Sequence, residues 1–172
     1  IKSGQVSING HRAKLGDKVD PETDKVTVYG KIITKADTKI YLALNKPKGY
    51  VVSKRDPQGR KTIFSLLPEN LRTKIWNVGR LDYDTEGLLI LTNDGDLTQR
   101  LAHPSYEHDK EYEVAISEPA TDEQLNNLRQ GVEIATGTTY PAKVKAKGQN
   151  IYITIHEGKK RQIRRMFEVV GL

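Results

Sequence analysis

The sequence predicts an α+β fold with a mixed, mainly antiparallel sheet and flanking helices, preceded by a small separate module. Two segments, Lys110–Ile116 and Ile151–Ile155, alternate apolar and polar residues with the period of two that is typical of half-buried strands. A helix predicted from about Lys160 has an apolar stripe at helical spacing, made of Ile163, Met166, Phe167 and Val170. Strands interspersed with helices and hairpins favour an α+β domain over a doubly wound sheet.

Residues 1–38 are predicted to form the small module. Val6 and Ile8 alternate with polar residues, and the following Asn9-Gly10 is a strong signal for a type I′ hairpin. Two further strands and a polar linker are predicted at Leu15–Val19, Lys25–Tyr29 and Thr34–Lys39. A segment of this length buries little apolar surface, so we expect it to accompany the larger domain at residues 39–172.

The larger domain is predicted to contain several more elements. A buried strand is expected at Tyr41–Asn45, and another strand at Leu88–Leu91, before an Asn-Asp-Gly turn. Short helices are expected at Thr62–Leu67, stopped by Pro68, and at Asp96–Leu101, with Asp96 as N-cap. Thr121–Gln124 has the pattern of a capping box, which opens a helix that ends near Gly131.

Composition excludes some classes of protein and favours others. The chain has no Cys, which excludes disulfides and thiolate metal sites and fits a cytoplasmic protein. No apolar stretch has the length needed to cross a bilayer, so no membrane partner is expected. The chain starts at Ile1 without Met and stops on the apolar Gly171-Leu172, so we expect a fragment truncated at both ends.

Positive charge is concentrated in two segments. Residues 46–61 carry six basic residues and one acidic residue, and residues 157–165 carry five and one. Together they exceed the net charge of +6 of the whole chain, so the remainder is net negative. Such a distribution predicts a polyanion partner, although either loop alone is typical of an ordinary solvated surface. The candidate RNA-binding residues are Lys46, Lys48, Arg60, Lys159, Lys160, Arg161 and Arg165.

Asp82 is the candidate catalytic residue, because it ends a turn-rich loop that runs into an apolar strand. An isolated loop Asp more often hydrogen-bonds nearby backbone, so both interpretations stay open. Asp84 is predicted to be a turn former, which disfavours a glycosidase with two working carboxylates. A guanidinium beside Asp82 would keep it ionised, and the candidates are Arg164 and Arg80. Arg80 is also placed to reach a phosphate.

Tyr112 has two possible roles. It lies on the apolar face of its predicted strand, which favours core packing. An enzyme that acts on a base within RNA must extrude that base and stack it against a flat surface, which a Tyr at the end of a core strand supplies. The four His residues show no metal-ligand spacing, and the chain has no P-loop or dinucleotide fingerprint.

Four sequence blocks occur in the order found in the pseudouridine synthases that modify ribosomal RNA, in the branch of the RsuA and RluB enzymes. The blocks are Asn45–Gly49 with the Asp56–Thr62 loop, Gly79–Gly95, His103–Ser105 with Lys110–Val114, and Glu157–Met166. The Asp56–Arg60 loop and the residues around Tyr83–Thr85 resemble the RluB-like members, which implies large-subunit RNA. Residues 1–38 resemble the second half of the αL RNA-binding module (ribosomal protein S-four-like).

The resemblance implies a role for each site residue. Asp82 matches the catalytic aspartate, and Tyr112 matches the tyrosine that stacks on the target base, which reverses the preference for core packing. Arg164 matches the basic residue that pairs with the aspartate, and Ile163 the apolar residue that lines the base pocket. Arg80 matches the arginine that helps to hold flipped RNA. No metal or organic cofactor is implied.

The leading hypothesis is therefore an RNA pseudouridine synthase that isomerises one uridine of ribosomal RNA. The resemblance implies a monomer that acts on a ribosomal subunit or an assembly intermediate. It also implies further chain beyond both ends, and loss of that chain is expected to weaken RNA binding or activity. The alternatives are a non-catalytic ribosomal RNA-binding or assembly factor on the same scaffold and, less favoured, a carboxylate-dependent glycosidase.

Overall fold

Antiparallel strands dominate the computed structural model, which describes residues 1–33 and 38–172. The chain divides into two units, Ile1–Lys39 and Ile40–Leu172. Short helices lie between the strands of the larger unit. The predicted α+β class with mainly antiparallel strands is confirmed.

The smaller unit is a four-stranded antiparallel sheet. Its strands are β1 (Val6–Ile8), β2 (His11–Arg12), β3 (Val26–Val28) and β4 (Lys31–Ile32), in the order β2-β1-β3-β4. The hairpin predicted at Asn9-Gly10 is present, with both residues at positive φ. The strand predicted at Leu15–Val19 is wrong, because the Asp17 carboxylate accepts a 2.7 Å bond from the Lys14 N–H and closes a local turn. Residues 34–37 of the predicted linker lie outside the described residues.

The first sheet of the larger unit has the order β5-β7-β6. Its strands are β5 (Tyr41–Lys46), β6 (Trp76–Val78) and β7 (Gly87–Thr92). β5 was predicted to be a buried strand, which is only partly correct, because every second residue from Tyr41 to Asn45 is exposed. It is an edge strand whose side chains alternate, with Leu42 opposite Leu91 and Leu44 opposite Leu89 toward the core. The core under this sheet contains Val52, Ile63, Phe64, Leu67, Ile75, Leu89 and Leu91.

Short helices accompany this sheet. They are a 3-10 helix (Ile63–Leu66), α1 (Glu69–Arg72), α2 (Gly95–Ala102) and a second 3-10 helix (Pro104–Tyr106). The helix predicted before Pro68 is therefore present, and α1 begins directly after that proline. The predicted N-cap Asp96 is wrong: the side chain of Asp94 accepts the bond from the Leu97 N–H at 3.2 Å, so α2 starts earlier.

A second antiparallel sheet, in the order β11-β12-β8, forms the rest of the unit. Its strands are β8 (Lys110–Ala115), β11 (Lys143–Lys147) and β12 (Asn150–Ile155), and a separate hairpin joins β9 (Glu133–Ile134) to β10 (Gly137–Thr138). Helices α3 (Asp122–Gln130) and α4 (Gln162–Val169) supply apolar side chains to its core. That core contains Leu125, Leu128, Val132, Ile134, Val144, Ile151, Ile153, Ile155, Met166 and Phe167.

The ends of α3 and α4 follow local chemistry. The capping box predicted at Thr121–Gln124 is present with both reciprocal bonds. α3 stops at Gly131, whose φ of +88° and close approach to the Thr139 carbonyl leave no room for a side chain. α4 begins slightly later than predicted, because its N-cap Arg161 is left-handed. The described residues contain no helix that is long and apolar enough to cross a membrane.

Candidate active site

A turn between β6 and β7 carries Asp82. The N–H of Thr85 donates to the Asp82 carbonyl at 3.2 Å, so Asp82 takes the first position of a turn whose central residues are Tyr83 and Asp84. Asp is favoured at that position of a turn. Within residues 38–172, no donor contacts the Asp82 carboxylate, so the side chain does not hydrogen-bond to the main chain of its own turn.

Lys46 fixes the main chain of this turn. The side chain is fully buried, with 0% of its surface accessible. Its Nζ donates to the carbonyl oxygens of Thr85 at 2.7 Å, Asp82 at 2.9 Å and Pro47 at 3.1 Å, and lies 3.5 Å from that of Tyr83. The prediction that Lys46 contacts RNA is wrong, because a buried ammonium with its donors occupied does not reach a phosphate.

Charge also gathers around Lys46. Burial lowers the pKa of the Lys46 ammonium, and the negative charges of Asp84, Asp82 and Glu86 act in the opposite direction. Three carboxylates close to one buried cation offset part of its desolvation. We infer that Lys46 holds the Asp82 loop in shape through its carbonyls, a role that the sequence alone did not reveal.

Asp84, rather than Asp82, pairs with the arginines of the basic segment before and within α4. Arg164 Nη2 lies 3.1 Å from Asp84 Oδ2 and 3.3 Å from the Asp84 carbonyl, and Arg161 Nη2 lies 3.6 Å from Oδ2. The predicted ion pair between Arg164 and Asp82 is therefore wrong within the described residues. The chain turns between the two carboxylates instead of running extended, and the turn brings Asp84 to the arginines.

This pairing also bears on the glycosidase alternative. Asp84 is held by two guanidiniums, which leaves it a poor partner for a second working carboxylate. Its other oxygen, Oδ1, is buried and has no hydrogen-bond partner among the described residues. Asp84 is thus both the predicted turn residue and the link between the Asp82 loop and α4. The sequence signal for this link was the spacing of Arg161 and Arg164, which favours one face of a helix.

Tyr112 lies on β8 and is half-buried. Its ring packs against the core under the second sheet, as the alternation predicted. Burial raises the pKa of the Tyr112 hydroxyl, and the negative charge of Asp82 adds to the shift. Ile163 is half-buried against the same core, one residue before Arg164.

The remaining residues predicted to contact RNA differ in their exposure and in the partners that their side chains already have. Arg80, Lys48 and Lys160 are exposed, and Lys48 lies 3.8 Å from the Glu86 carboxylate. Arg60 is held by Asp56, and Lys159 by Glu157 and the Thr138 carbonyl. Arg165 is half-buried, and its Nη1 is buried without a partner among the described residues. The same part of the chain contains no cluster of three or more His, Cys, Asp or Glu suited to a metal.

A family profile described as "RNA pseudouridylate synthase" matches residues 40–169. The chain belongs to the RNA pseudouridylate synthase family. The family predicted from the four sequence blocks is thereby confirmed. The profile covers β5, the Asp82 loop, β8 and α4, so all the residues discussed above as one site lie inside it.

Relatives within the pseudouridylate synthase family cover nearly the whole chain. The Ribosomal large subunit pseudouridine synthase B of Bacillus subtilis is 41% identical over 99% of this chain and 72% of its own length. The proteins of the same name from Pseudomonas aeruginosa and Vibrio cholerae are 42% and 37% identical, and the chain spans only 47% and 56% of their lengths. A solved structure described as a crystal structure of pseudouridylate synthase superposes with a TM-score of 0.75 at 32% identity, covering 99% of this chain and 74% of the other.

Proposed function

We propose that this protein isomerises a specific uridine of large-subunit ribosomal RNA to pseudouridine, with Asp82 as the catalytic residue. The family and the names of the relatives support the reaction and the RNA. The observation that carries the assignment of Asp82 is its setting. Lys46 holds its main chain, its carboxylate has no partner among the described residues, and its charge acts on Tyr112.

The reaction exchanges one bond for another. The bond between C1′ of the ribose and N1 of uracil breaks, the base rotates in the pocket, and C1′ bonds to C5. The proton on C5 is lost and N1 gains one, so the product is an isomer of the substrate. An oxygen of Asp82 serves each of three routes: attack on the sugar, attack on the base, or removal of a sugar proton. All three require an unblocked carboxylate beside the target nucleotide.

Other residues of the site hold the extruded base. The Tyr112 ring stacks on it while Ile163 closes the apolar side, because each is half-buried against the second core and keeps part of its apolar surface accessible. Arg164 fixes α4 to the catalytic loop through Asp84. Arg80, exposed two residues before Asp82, contacts the displaced RNA strand.

The RNA footprint consists of exposed and half-buried basic residues, without Lys46. It contains Lys48, Arg60, Lys159, Lys160, Arg161 and Arg165. The four-stranded unit at residues 1–39 adds to it as the second half of an αL RNA-binding module, supported by the hairpin at Asn9-Gly10 and by exposed Arg12 and Lys31. That assignment is tested by measuring the RNA affinity of the Arg12→Glu variant, which is expected to be lower than that of the wild type. We propose that the protein acts as a monomer in the cytoplasm, on a ribosomal subunit or an assembly intermediate.

The test compares the full-length protein with its Asp82→Asn variant on unmodified ribosomal RNA, intact subunits and assembly intermediates. Pseudouridine is mapped at nucleotide resolution by selective chemical labelling. Asparagine keeps the shape of the side chain and removes its nucleophilic and basic oxygen, so product at one site from the wild type alone is expected. RNA binding without product from any of these substrates would instead support the non-catalytic assembly factor.

A further inference from the structure

Tyr83 follows Asp82 directly and lies at the tip of the same turn. Its main chain is fixed, because its carbonyl accepts a 2.8 Å bond from the Gly49 N–H and lies near the Lys46 ammonium. Its side chain is nevertheless 47% exposed. The turn therefore presents an aromatic ring to solvent from a rigid base, one residue from the proposed catalytic carboxylate.

Arg60 lies over this ring, with its Cζ 5.9 Å from the ring centroid. Asp56 holds the guanidinium in place through Nε at 3.0 Å and Nη2 at 2.7 Å, and also accepts the Arg60 N–H at 2.9 Å. These bonds leave Nη1 of Arg60 without a partner among the described residues. A planar cation is thus oriented beside an exposed ring, with one donor edge still available. It is the only contact of a guanidinium with an aromatic ring in residues 1–33 and 38–172.

Other half-exposed tyrosines of the larger unit are already engaged. The Tyr41 hydroxyl bonds to Asp94, and the Tyr106 ring stacks on His108. Among the described residues, the Tyr83 ring is contacted by one charged group, the Arg60 guanidinium. Single-stranded RNA is bound by stacking its bases on aromatic rings and guanidinium planes, while arginine donors hold the phosphates. The paired ring and guanidinium therefore match the two halves of a nucleotide.

We propose that Tyr83 and Arg60 form a binding site for the RNA nucleotide next to the target uridine, with its base on the Tyr83 ring and its phosphate on Arg60. The site rests on the proposed function, since it is one residue from Asp82 and takes the neighbour of the base that Asp82 converts. It makes residues 83 and 60 determinants of RNA sequence context, separate from the pocket of Tyr112 and Ile163. Asp56 serves as the positioning residue for the guanidinium.

The test is a thermodynamic cycle between protein and RNA. Affinity is measured for wild type, Tyr83→Phe and Tyr83→Leu with a target RNA hairpin, and with hairpins in which each nucleotide flanking the uridine is abasic in turn. Loss of stacking in Tyr83→Leu is expected to weaken binding about 5- to 150-fold, while Tyr83→Phe stays within about twofold. Tyr41→Leu is the matched control. The half-exposed Tyr41 ring lies at the start of β5, roughly 16 Å along the strand from Lys46, whose ammonium holds the Tyr83 turn.

The decisive result is at one flanking position. An abasic nucleotide there is expected to abolish the difference between wild type and Tyr83→Leu and to leave Tyr41→Leu unaffected. Equal affinities of wild type and Tyr83→Leu, or a loss that persists with every abasic hairpin, overturn the proposal. Because the readout is binding, it decides the nucleotide site even if the wild type yields no pseudouridine, whereas absence of product alone refutes the proposed function.

Discussion

Replacing Lys46 with Met separates a structural role for this residue from a role in binding RNA. Methionine keeps an unbranched, apolar side chain in the buried position and removes the ammonium. The turn then loses three hydrogen bonds of 3.1 Å or shorter, to the carbonyls of Pro47, Asp82 and Thr85. The bonds to Asp82 and Thr85 set the path of the main chain that carries the proposed catalytic residue, so both stability and turnover are expected to fall.

The size of the effect follows from opposing contributions. Hydrogen bonds to a charged group contribute roughly 1.5–3 kcal/mol each, so the three together contribute about 4.5–9 kcal/mol. Burying the Lys46 ammonium costs several kcal/mol, which Met avoids. We therefore expect a net loss of about 2–4 kcal/mol in the free energy of unfolding. For a chain of this size that corresponds to a fall in Tm of about 4–16 °C.

Thermal unfolding followed by circular dichroism, together with single-turnover isomerisation, measures both effects. Lys48→Met is the matched control: it removes an exposed lysine two residues away whose ion pair with Glu86 is 3.8 Å long. Its Tm is expected to change by no more than about 1 °C, since exposed pairs contribute little. If Lys46→Met has the same Tm as Lys48→Met and isomerises RNA at the wild-type rate, the argument that Lys46 shapes the loop is refuted.

Four further outcomes are expected. Arg164→Ala should lower the single-turnover rate roughly tenfold to a hundredfold and RNA affinity much less, because it loosens α4 from the catalytic loop. Tyr112→Leu should lower that rate about 5- to 150-fold, whereas Tyr112→Phe keeps the stacking ring and stays within about threefold. Arg60 lowers the pKa of Asp56 to about 2, so the Asp56 carboxylate stabilises the fold above its unfolded pKa of 3.8. The difference in urea midpoint between wild type and Asp56→Asn should therefore be full at about pH 5 and shrink as the pH falls toward 2. RNA affinity should fall with salt, and Lys160→Gln should reduce the slope by about 0.7 while Lys46→Met leaves it unchanged.

Each of these expectations has an opposite result. Equal single-turnover rates with and without Arg164 would contradict the coupling through Asp84. A wild-type rate in Tyr112→Leu would contradict the stacking role of Tyr112. A pH-independent difference between wild type and Asp56→Asn would show that the Arg60 pair does not stabilise the fold. A flat salt response would exclude the basic segments as the RNA footprint, and a smaller slope in Lys46→Met would mean that Lys46 reaches phosphate after all.

The elements that sequence predicted well have one face on a core. In β8 and β12 every second side chain enters the same core, so the alternation in the sequence matches the alternation of buried side chains in the structure. β6 is three residues long and β11 is rich in lysine, so neither had an apolar signal strong enough to predict. Around Leu15 the apolar pattern was overridden by a single side chain, Asp17, which closes a turn.

The candidate site divides in a similar way. Asp82 was a candidate from its local pattern, whereas the local pattern at Tyr112 favoured core packing and only the family resemblance implied a role at the site. In the structure Tyr112 packs against the core, and the negative charge of Asp82 contributes to raising the pKa of its hydroxyl. Lys46 was misassigned because a sequence gives the charge of a lysine and not its exposure, and here the charge lies inside the fold. The partner of Arg164 was misassigned because the pair joins residues 80 apart, where a difference of two positions in a turn decides the contact.

A loop that is held by its main chain leaves its side chains free to change. Lys46 and the Gly49 N–H grip carbonyl oxygens, which every amino acid possesses, so the course of the chain at Tyr83 does not depend on the tyrosine itself. Substitutions at this position can therefore alter which RNA sequence is accepted without shifting the neighbouring carboxylate. The main chain of the turn is thus fixed independently of the side chain at its centre. Residue 83 is therefore the first position to vary when redirecting the enzyme to a different RNA sequence context.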